Sequence, residues 1–241
     1  MSHLGEVIRF IHVAFGAIGL LAFWVPVFAK KGAVNHVRFG KVFVWSAYVV
    51  VAAAAVALLI RTWEMMGQGI GPTVEPQAYA GMVFLGYLTF VTFAIVHYGM
   101  QVLQSKGDPT ALRTGLNVAL AWASIAASIT IIAYALLVSP SSRVLLFALS
   151  PIGIANGIGQ LTYMSKSARS PRAWMYEHLG AMLGAGIAFH TAFAVFGSSR
   201  LFDFSLTGWV AIIPWVAPAI IGIPAINIWT RHYQRKFGDA A

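Results

Sequence analysis

The sequence predicts an all-α polytopic membrane protein, a bundle of about seven transmembrane helices. Three properties of the 241-residue chain indicate this fold class: its composition, its long apolar runs and the sidedness of its charges. Hydrophobic residues make up 59% of the chain and charged residues only 10%, whereas soluble domains carry about 25% charged residues. With a mean hydropathy of +0.77, the chain lacks the polar surface that a soluble domain needs.

Seven apolar stretches have about the 20 residues that a helix needs to cross a bilayer. They are continuously apolar and do not alternate in polarity, so helices are favoured over a β-barrel. No polar stretch is long enough for a second domain, and residues 1–241 are predicted to form a single transmembrane domain. The predicted spans are residues 7–29, 40–61, 78–104, 114–138, 144–165, 175–197 and 207–230.

Two stretches between or within these spans have a local prediction of their own. The glycine- and proline-containing segment "RTWEMMGQGIGPTVEPQA", which begins at Arg61, is predicted to be a loop or a short interfacial piece. Pro214, Pro218 and Pro224 are expected to break the hydrogen bonding of the seventh helix, as in many transporters.

The charges are distributed unevenly between the two ends of the predicted helices. If the loop between the first two spans is cytoplasmic, that side carries 12 basic and 3 acidic residues, and the opposite side carries 4 of each. The positive-inside rule then places the N-terminus outside and the C-terminus in the cytoplasm, in a bacterial inner membrane. The expected partner is the lipid bilayer and not a nucleic acid, because topology explains the basic loops. The 12 basic residues are Lys30, Lys31, Arg38, Lys41, Lys106, Arg113, Lys166, Arg169, Arg172, Arg231, Arg235 and Lys236.

Five histidines lie within or at the ends of the predicted spans, where an ionisable side chain is a candidate functional group. His12 and His190 are predicted near the outer ends of the first and sixth helices, at similar depth. His36, His97 and His178 are predicted near the inner ends of the second, third and sixth helices. The histidines therefore form an outer pair and an inner trio.

The leading hypothesis is that these histidines hold haem b or a metal ion, with a redox role and a partner protein still to be identified. A b-type haem needs two axial imidazoles, and the candidate ligands are His12, His190, His178 and His97. The absence of cysteine excludes covalent c-type attachment. Gly16, one turn after His12, leaves room for a flat ligand or for a close helix contact. His178 and His190 are 12 residues apart, which turns them about 120° from each other on a straight helix.

Two alternative functions remain. His36, His97 and His178 form an alternative zinc site for a membrane hydrolase, with Glu177 as the base. Glu177 and His178 point about 100° apart on a helix, so both are expected to reach one site only if that helix end is irregular. Alternatively, the chain is a transporter or an accessory subunit without a cofactor, and its histidines only donate hydrogen bonds to backbone carbonyls. No carboxylate is expected among the helices, which disfavours a proton-driven transporter. These alternatives leave open whether the chain is an enzyme.

Two segments resemble a bacterial family of predicted multi-pass membrane proteins that is known only as a domain of unknown function. "IHVAFGAIGLLAFWVPVFAKKGAVNHVRFGKVFVW" is similar to the start of that family, with its Lys-Gly turn and its His-Arg-x-x-Gly-Arg-like box, here His36-Val37-Arg38-Phe39-Gly40-Lys41. "EHLGAMLGAGIAFHTAF" is similar to a later box. The resemblance implies the same fold but supplies no activity, and His97 and His190 fall outside its motifs. The positions that it singles out are His12, His36, Gly40, Lys41, His178, Gly184 and Thr191.

Overall fold

The computed structural model describes residues 3–138, 143–165, 170–201 and 208–239, which form helices joined by short loops. The described part of the chain contains no β-strand, so the all-α prediction is confirmed. Short 3₁₀ turns occupy Pro109–Leu112 and Gly208–Ile212, and a π-helical turn occupies Phe193–Gly197. The helices are α1 His3–Phe28, α2 Val34–Gly67, α3 Pro76–Val102, α4 Gly115–Leu137, α5 Arg143–Leu149, α6 Pro151–Met164, α7 Ala173–Ala192, α8 Ser198–Leu201 and α9 Ile213–Phe237.

Seven helical segments of the described chain are long and apolar enough to cross a membrane. They cover residues 3–28, 34–67, 76–102, 115–137, 143–164, 173–197 and 209–237. Many of their large apolar side chains point outwards; Phe10 and Leu21, for example, are 73% and 74% exposed. An apolar outer surface of this kind is suited to contact with lipid. The prediction of a multi-pass helical membrane protein is therefore confirmed at the level of the fold class.

The second helix is longer at both ends than the predicted span. It begins at Val34, so the His36–Lys41 box is helical, and it continues to Gly67. The predicted loop of residues 61–78 is too long at both ends, because residues 61–67 continue α2 and residues 76–78 begin α3. The loop is confined to residues 68–75, where Gly69 has a φ of +68°. At 1.5 Å per residue α2 is about 51 Å long, so it exceeds a hydrocarbon core of about 30 Å.

The prolines of the last helix do not interrupt it. Pro214 lies in the first turn, where the missing N–H has no helical partner in any case. Pro218 and Pro224 lie inside α9, which continues through both to Phe237. Pro218 and Pro224 each remove one donor from the helical hydrogen bonding, but the neighbouring hydrogen bonds keep the helix continuous, so α9 is not a broken helix.

The helices form two compact units. The first unit contains Met1–Phe93 and Ile131–Leu146, and the second contains Ala94–Thr130 and Phe147–Ala241. In the first unit α1 and α2 form an antiparallel hairpin, in which the ring centroids of Phe23 and Phe43 lie 5.3 Å apart. The second unit has a buried cluster made by Tyr98, Val102, Leu112, Ala121, Met164 and Ala181. Lys166 and Arg169, which enter the charge balance, lie outside the described residues.

Candidate functional site

Two of the candidate histidines link α1 to α2 in the first unit. His12 Nδ1 lies 3.1 Å from the carbonyl oxygen of Val50, and His36 Nδ1 lies 3.1 Å from the carbonyl oxygen of Pro26. The donor and acceptor on each helix are 14 residues apart, a rise of about 21 Å. Hydrogen bonds therefore hold the hairpin together at two levels. At each level a histidine of one helix donates to a backbone carbonyl of the other.

His36 and Lys31 also cap the C-terminus of α1. The last carbonyls of a helix have no donor within the helix. Here the Lys31 ammonium donates to the carbonyls of Pro26 and Val27, both at 2.8 Å, and His36 donates to the first of these. Burial lowers the pKa of the Lys31 amine. Gly32, with a φ of +79°, provides the turn that follows α1. The Lys-Gly turn and the histidine of the box thus have a local structural function.

The other residues of the box follow His36 in the first turns of α2. The side chains of Arg38 and Lys41 are exposed. A Cβ atom added at Gly40 would meet no atom within 4 Å, so close packing does not require a glycine there. The two cations of the box are therefore accessible to an anionic group.

Glu177 and His178 both contact the end of α3 in the second unit. Tyr98 donates its hydroxyl hydrogen to Glu177 Oε2 at 3.1 Å, and His178 Nδ1 lies 2.8 Å from the carbonyl oxygen of Gly99. Two adjacent residues of α7 thus reach two adjacent residues of α3. α7 is a regular helix from Ala173, and it meets a side chain of α3 at Glu177 and the main chain at His178; that both residues serve one metal site stays a prediction.

Small residues bring α3 and α7 close together at these contacts. A Cβ atom added at Gly99 would lie 2.9 Å from the Cβ atom of Ala181 and would overlap the end of the Met182 side chain. A Cβ atom added at Gly184 would lie 2.7 Å from Ile95 Cδ1. The glycine that the resemblance singles out, Gly184, is therefore a helix-packing position.

The remaining candidates lie elsewhere in the second unit. His97 lies on α3 and its Nε2 atom is shielded from solvent. His190 Nδ1 lies 2.7 Å from the carbonyl oxygen of Gly186, so this nitrogen is bonded within its own helix. Thr191, which is partly buried, follows directly, and the π-helical turn begins at Phe193. Such turns often occur beside functional sites.

Four of the candidate histidines carry a proton on the same ring nitrogen. In His12, His36, His178 and His190 the Nδ1 atom faces a backbone carbonyl, which only accepts hydrogen bonds. Nδ1 therefore carries the proton in all four rings. In the neutral imidazole Nε2 then holds the lone pair and is the nitrogen able to bind a metal or haem iron.

No metal centre is formed by three side chains in the described ranges. There, no group of three His, Asp or Glu residues has an arrangement that could hold a metal ion. The zinc set of His36, His97 and His178 thus gains no support from the geometry and stays a prediction. The pairing of His12 with His190 also stays a prediction, because the two residues belong to different units.

Two tyrosines of this region were not among the residues singled out by the sequence. Tyr98 is the hydrogen-bond donor to Glu177, and Tyr163 on α6 interacts electrostatically with the same carboxyl group. The Tyr163 hydroxyl is buried and has no hydrogen-bond partner among the described residues. The sequence carried no signal for this cluster, because a tyrosine in an apolar helix is typical of a core or an interface.

Comparisons with known proteins assign no family to the chain. No protein-family model, curated protein or solved structure matches the chain. The chemistry of the site is therefore inferred from its own residues.

Proposed function

We propose that the chain is a multi-pass protein of the bacterial inner membrane that binds haem b through histidines of its helices and has a redox role. The proposal places the N-terminus outside and the C-terminus in the cytoplasm, as the charge distribution favours. It includes membership of the family whose boxes the two histidine-containing segments resemble. A redox partner protein in or at the membrane completes the proposal.

The observation that carries this proposal is that four candidate histidines direct Nδ1 towards a backbone carbonyl. A histidine that binds a metal almost always donates its other ring N–H to a carbonyl, carboxylate or water, which fixes the ring and its tautomer. The Nδ1 bonds of His12 and His178 to the carbonyls of Val50 and Gly99 have this form. They leave Nε2 as the ligand nitrogen, which is the state that an axial haem ligand needs.

Two further features support the proposal, namely space beside His12 and cations for the haem propionates. A Cβ atom added at Gly16, one turn from His12, would meet nothing within 4 Å. Arg38 and Lys41 are exposed cations that would pair with the haem propionates. When bound, haem supplies one-electron chemistry whose potential depends on the axial ligands and their surroundings.

A second candidate function is a transporter or an accessory subunit whose histidines have only structural roles. The specific observation in its favour is the α1–α2 hairpin, where the bonds from His12 to Val50 and from His36 to Pro26 account for both imidazoles without a ligand. The zinc hydrolase is not favoured by any contact among the described residues.

An absorption spectrum distinguishes these functions. The protein is purified in detergent after haem-replete expression, and spectra are recorded in the oxidised and dithionite-reduced states, with elemental analysis of the same sample. The haem proposal predicts a Soret band and sharp reduced α and β bands. A colourless, metal-free protein overturns it and leaves the structural role, whereas a colourless protein with stoichiometric zinc favours the hydrolase.

Paired substitutions separate a ligand from a structural hydrogen bond. Asparagine places its amide nitrogen near the position of Nδ1 and can still donate to the carbonyl, but has no atom at Nε2. Glutamine places its amide near Nε2 and loses the Nδ1 donor. The haem proposal predicts that His12→Asn or His178→Asn removes the absorption bands while the protein stays folded. The matched control His232→Asn changes an exposed histidine of α9 and keeps them. A purely structural role instead predicts that the glutamine variants lose about 1 kcal/mol of stability and that the asparagine variants do not.

A further inference from the structure

The last helix, α9, packs against α7 along one side. A Cβ atom added at Gly222 would lie 2.5 Å from Ile187 Cγ1 on α7, and one added at Gly180 of α7 would lie 4.0 Å from Ile226 Cγ2. Gly222 and Ile226 are four residues apart, so they mark the side of α9 that faces α7. No residue of α9 is buried, which leaves the rest of its circumference accessible.

The opposite side of α9 carries an exposed face that changes from apolar to basic along the helix. Its residues follow one another at intervals of three or four, so they share one side of the helix, and this side is turned away from Gly222 and Ile226. The side chains of Ile220 and Ile228 are 67% and 69% exposed, and the two arginines are exposed as well. The exposed face of α9 consists of Ile220, Pro224, Ile228, Arg231 and Arg235.

Other cations near the end of α9 already have partners. The Arg172 guanidinium lies 3.5 Å from Asp239 Oδ2 and 4.8 Å above the ring of Phe237. The Lys236 ammonium lies 6.0 Å from the ring centroid of Tyr233. These contacts hold the two cations against aromatic rings and a carboxylate of the same unit.

Arg231 and Arg235 differ from these cations. In the part of the chain that the structure describes, neither guanidinium takes part in an ion pair, a side-chain hydrogen bond or a ring contact. α9 itself contains no acidic residue. Residues four positions apart on a helix have Cβ atoms about 5–6 Å apart, so both guanidinium groups can reach one anion. Each offers five N–H donors in a planar fork that matches the oxygens of a phosphate group.

The spacing along the exposed face matches a phospholipid in one leaflet of a bilayer. From Ile220 to Arg231 the helix rises about 16 Å, and one leaflet of a hydrocarbon core of about 30 Å is about 15 Å deep. Arg235 lies about 6 Å further along the helix, beyond the hydrocarbon. The exposed isoleucines therefore lie at the depth of acyl chains, and the arginines lie at the depth of phosphate groups.

We propose that the exposed face of α9 binds one anionic phospholipid, whose phosphate group lies between Arg231 and Arg235 and whose acyl chains lie along Ile220 and Ile228. The lipid is anionic because two positive charges on this face have no counter-charge in the described residues. Basic groups at the ends of membrane helices are a common site for such headgroups. The site needs neither haem nor a second protein, so it is independent of the proposed redox role.

Native mass spectrometry of the full-length protein in detergent tests the proposal. Phosphatidylglycerol and phosphatidylcholine are added separately, and the affinity for the first bound lipid is measured. The wild type is expected to bind phosphatidylglycerol more tightly. Replacing both arginines, Arg231→Gln with Arg235→Gln, is expected to weaken that binding about 20- to 30-fold, or about fivefold for each charge, and to remove the preference.

Two further variants separate the site from charge in general and from folding. Arg9→Gln with Arg113→Gln removes the same two charges from exposed arginines outside α9 and should leave the affinity unchanged within about twofold. Arg231→Lys with Arg235→Lys keeps both charges on the exposed face and should retain most of the affinity. The wild type is also titrated with inorganic phosphate, which lacks acyl chains and should not displace the bound lipid.

Each of these measurements has a result that overturns the proposal. Equal loss of affinity in the two glutamine pairs would show that net charge alone attracts the lipid. An equal loss in the lysine and glutamine pairs would assign the effect to a change in α9 and not to charge. Displacement by inorganic phosphate at millimolar concentration would identify a site for free phosphate in place of a lipid site, and an unchanged affinity in Arg231→Gln with Arg235→Gln would show that the lipid does not bind there.

Discussion

Replacing Gly99 by alanine tests the close crossing of α3 and α7, on which the polar contacts of the second unit depend. The new Cβ atom would lie 2.9 Å from the Cβ atom of Ala181, whereas ordinary carbon contacts begin at about 3.4 Å. Met182 can move aside because its side chain is flexible. The methyl group of Ala181 has no other rotamer, so the two backbones must separate by about 0.5 Å.

The cost of this separation follows from the distances between the helices. The hydrogen bond from Tyr98 to Glu177 would lengthen from 3.1 Å to about 3.6 Å, and the one from His178 to the residue-99 carbonyl from 2.8 Å to about 3.3 Å. Overpacking costs about 1–3 kcal/mol, and a lost hydrogen bond adds about 0.5–1.5 kcal/mol. The better helix propensity of alanine offsets about 1 kcal/mol. The expected net destabilisation is about 0.5–3.5 kcal/mol.

The assay is reversible denaturation in mixed detergent micelles, with helicity as the signal. Gly81→Ala is the matched control, because Gly81 lies on the same helix and a Cβ atom there would meet nothing within 4 Å. That variant is expected to be unchanged or more stable by up to about 1 kcal/mol. If Gly99→Ala is as stable as Gly81→Ala, then α3 and α7 do not touch at Gly99, and the reasoning on Tyr98 and His178 is refuted.

Three further predictions concern the ends of helices. Lys31→Met removes the donor to the last carbonyls of α1 and should lower the free energy of unfolding by about 0.5–1.5 kcal/mol in the same assay; an unchanged value would show that the cap contributes nothing. The backbone N–H and hydroxyl of Thr110 donate to Asp108 and lower the pKa of its carboxyl. This stabilisation is fully present above pH of about 4 and is lost as the pH falls through the lowered pKa, so hydrogen exchange at the Thr110 amide should accelerate there in the wild type. In Asp108→Asn the same amide should show no such step, and a persistent step would assign it to another group. Gly238→Ala places alanine at a φ of +70° and should cost about 1 kcal/mol, whereas Gly40→Ala, in a helix with open space, should cost nothing; equal stability of the two would contradict the left-handed cap.

The helical fold was predictable because a bilayer restricts the backbone structures that can span it. A chain with 59% hydrophobic residues in runs of about 20 must satisfy its backbone within helices. Helix ends were less predictable, since Trp63 and Glu64 continue α2 although they look like the beginning of a loop. The continuity of α9 through Pro218 and Pro224 was also missed, because one missing donor weakens a helix without ending it.

The candidate histidines were identifiable from the sequence, but their partners were not. Val50, Pro26 and Gly99 accept hydrogen bonds through main-chain carbonyls, which every residue has, so no side-chain pattern indicates them. Only the packing of the helices selects these three carbonyls. The same is true of the Tyr98 hydroxyl, which donates to Glu177 from a helix that is distant in sequence.

The hydrogen bonds of His36 in the first unit and His178 in the second depend on different features of the fold. In the hairpin, His36 completes the cap of α1, and its hydrogen bond is needed for that helix end whether or not a ligand is present. At the crossing of α3 and α7, by contrast, the Gly99 carbonyl is within reach of His178 because residue 99 has no side chain to hold the helices apart. This close approach fixes the tautomer of His178 and also places Tyr98 beside Glu177. The hydrogen bonds of Glu177 and His178, which are consecutive residues, therefore depend on one glycine, so a variant at Gly99 should perturb both together, whereas a variant at His36 should affect only the hairpin.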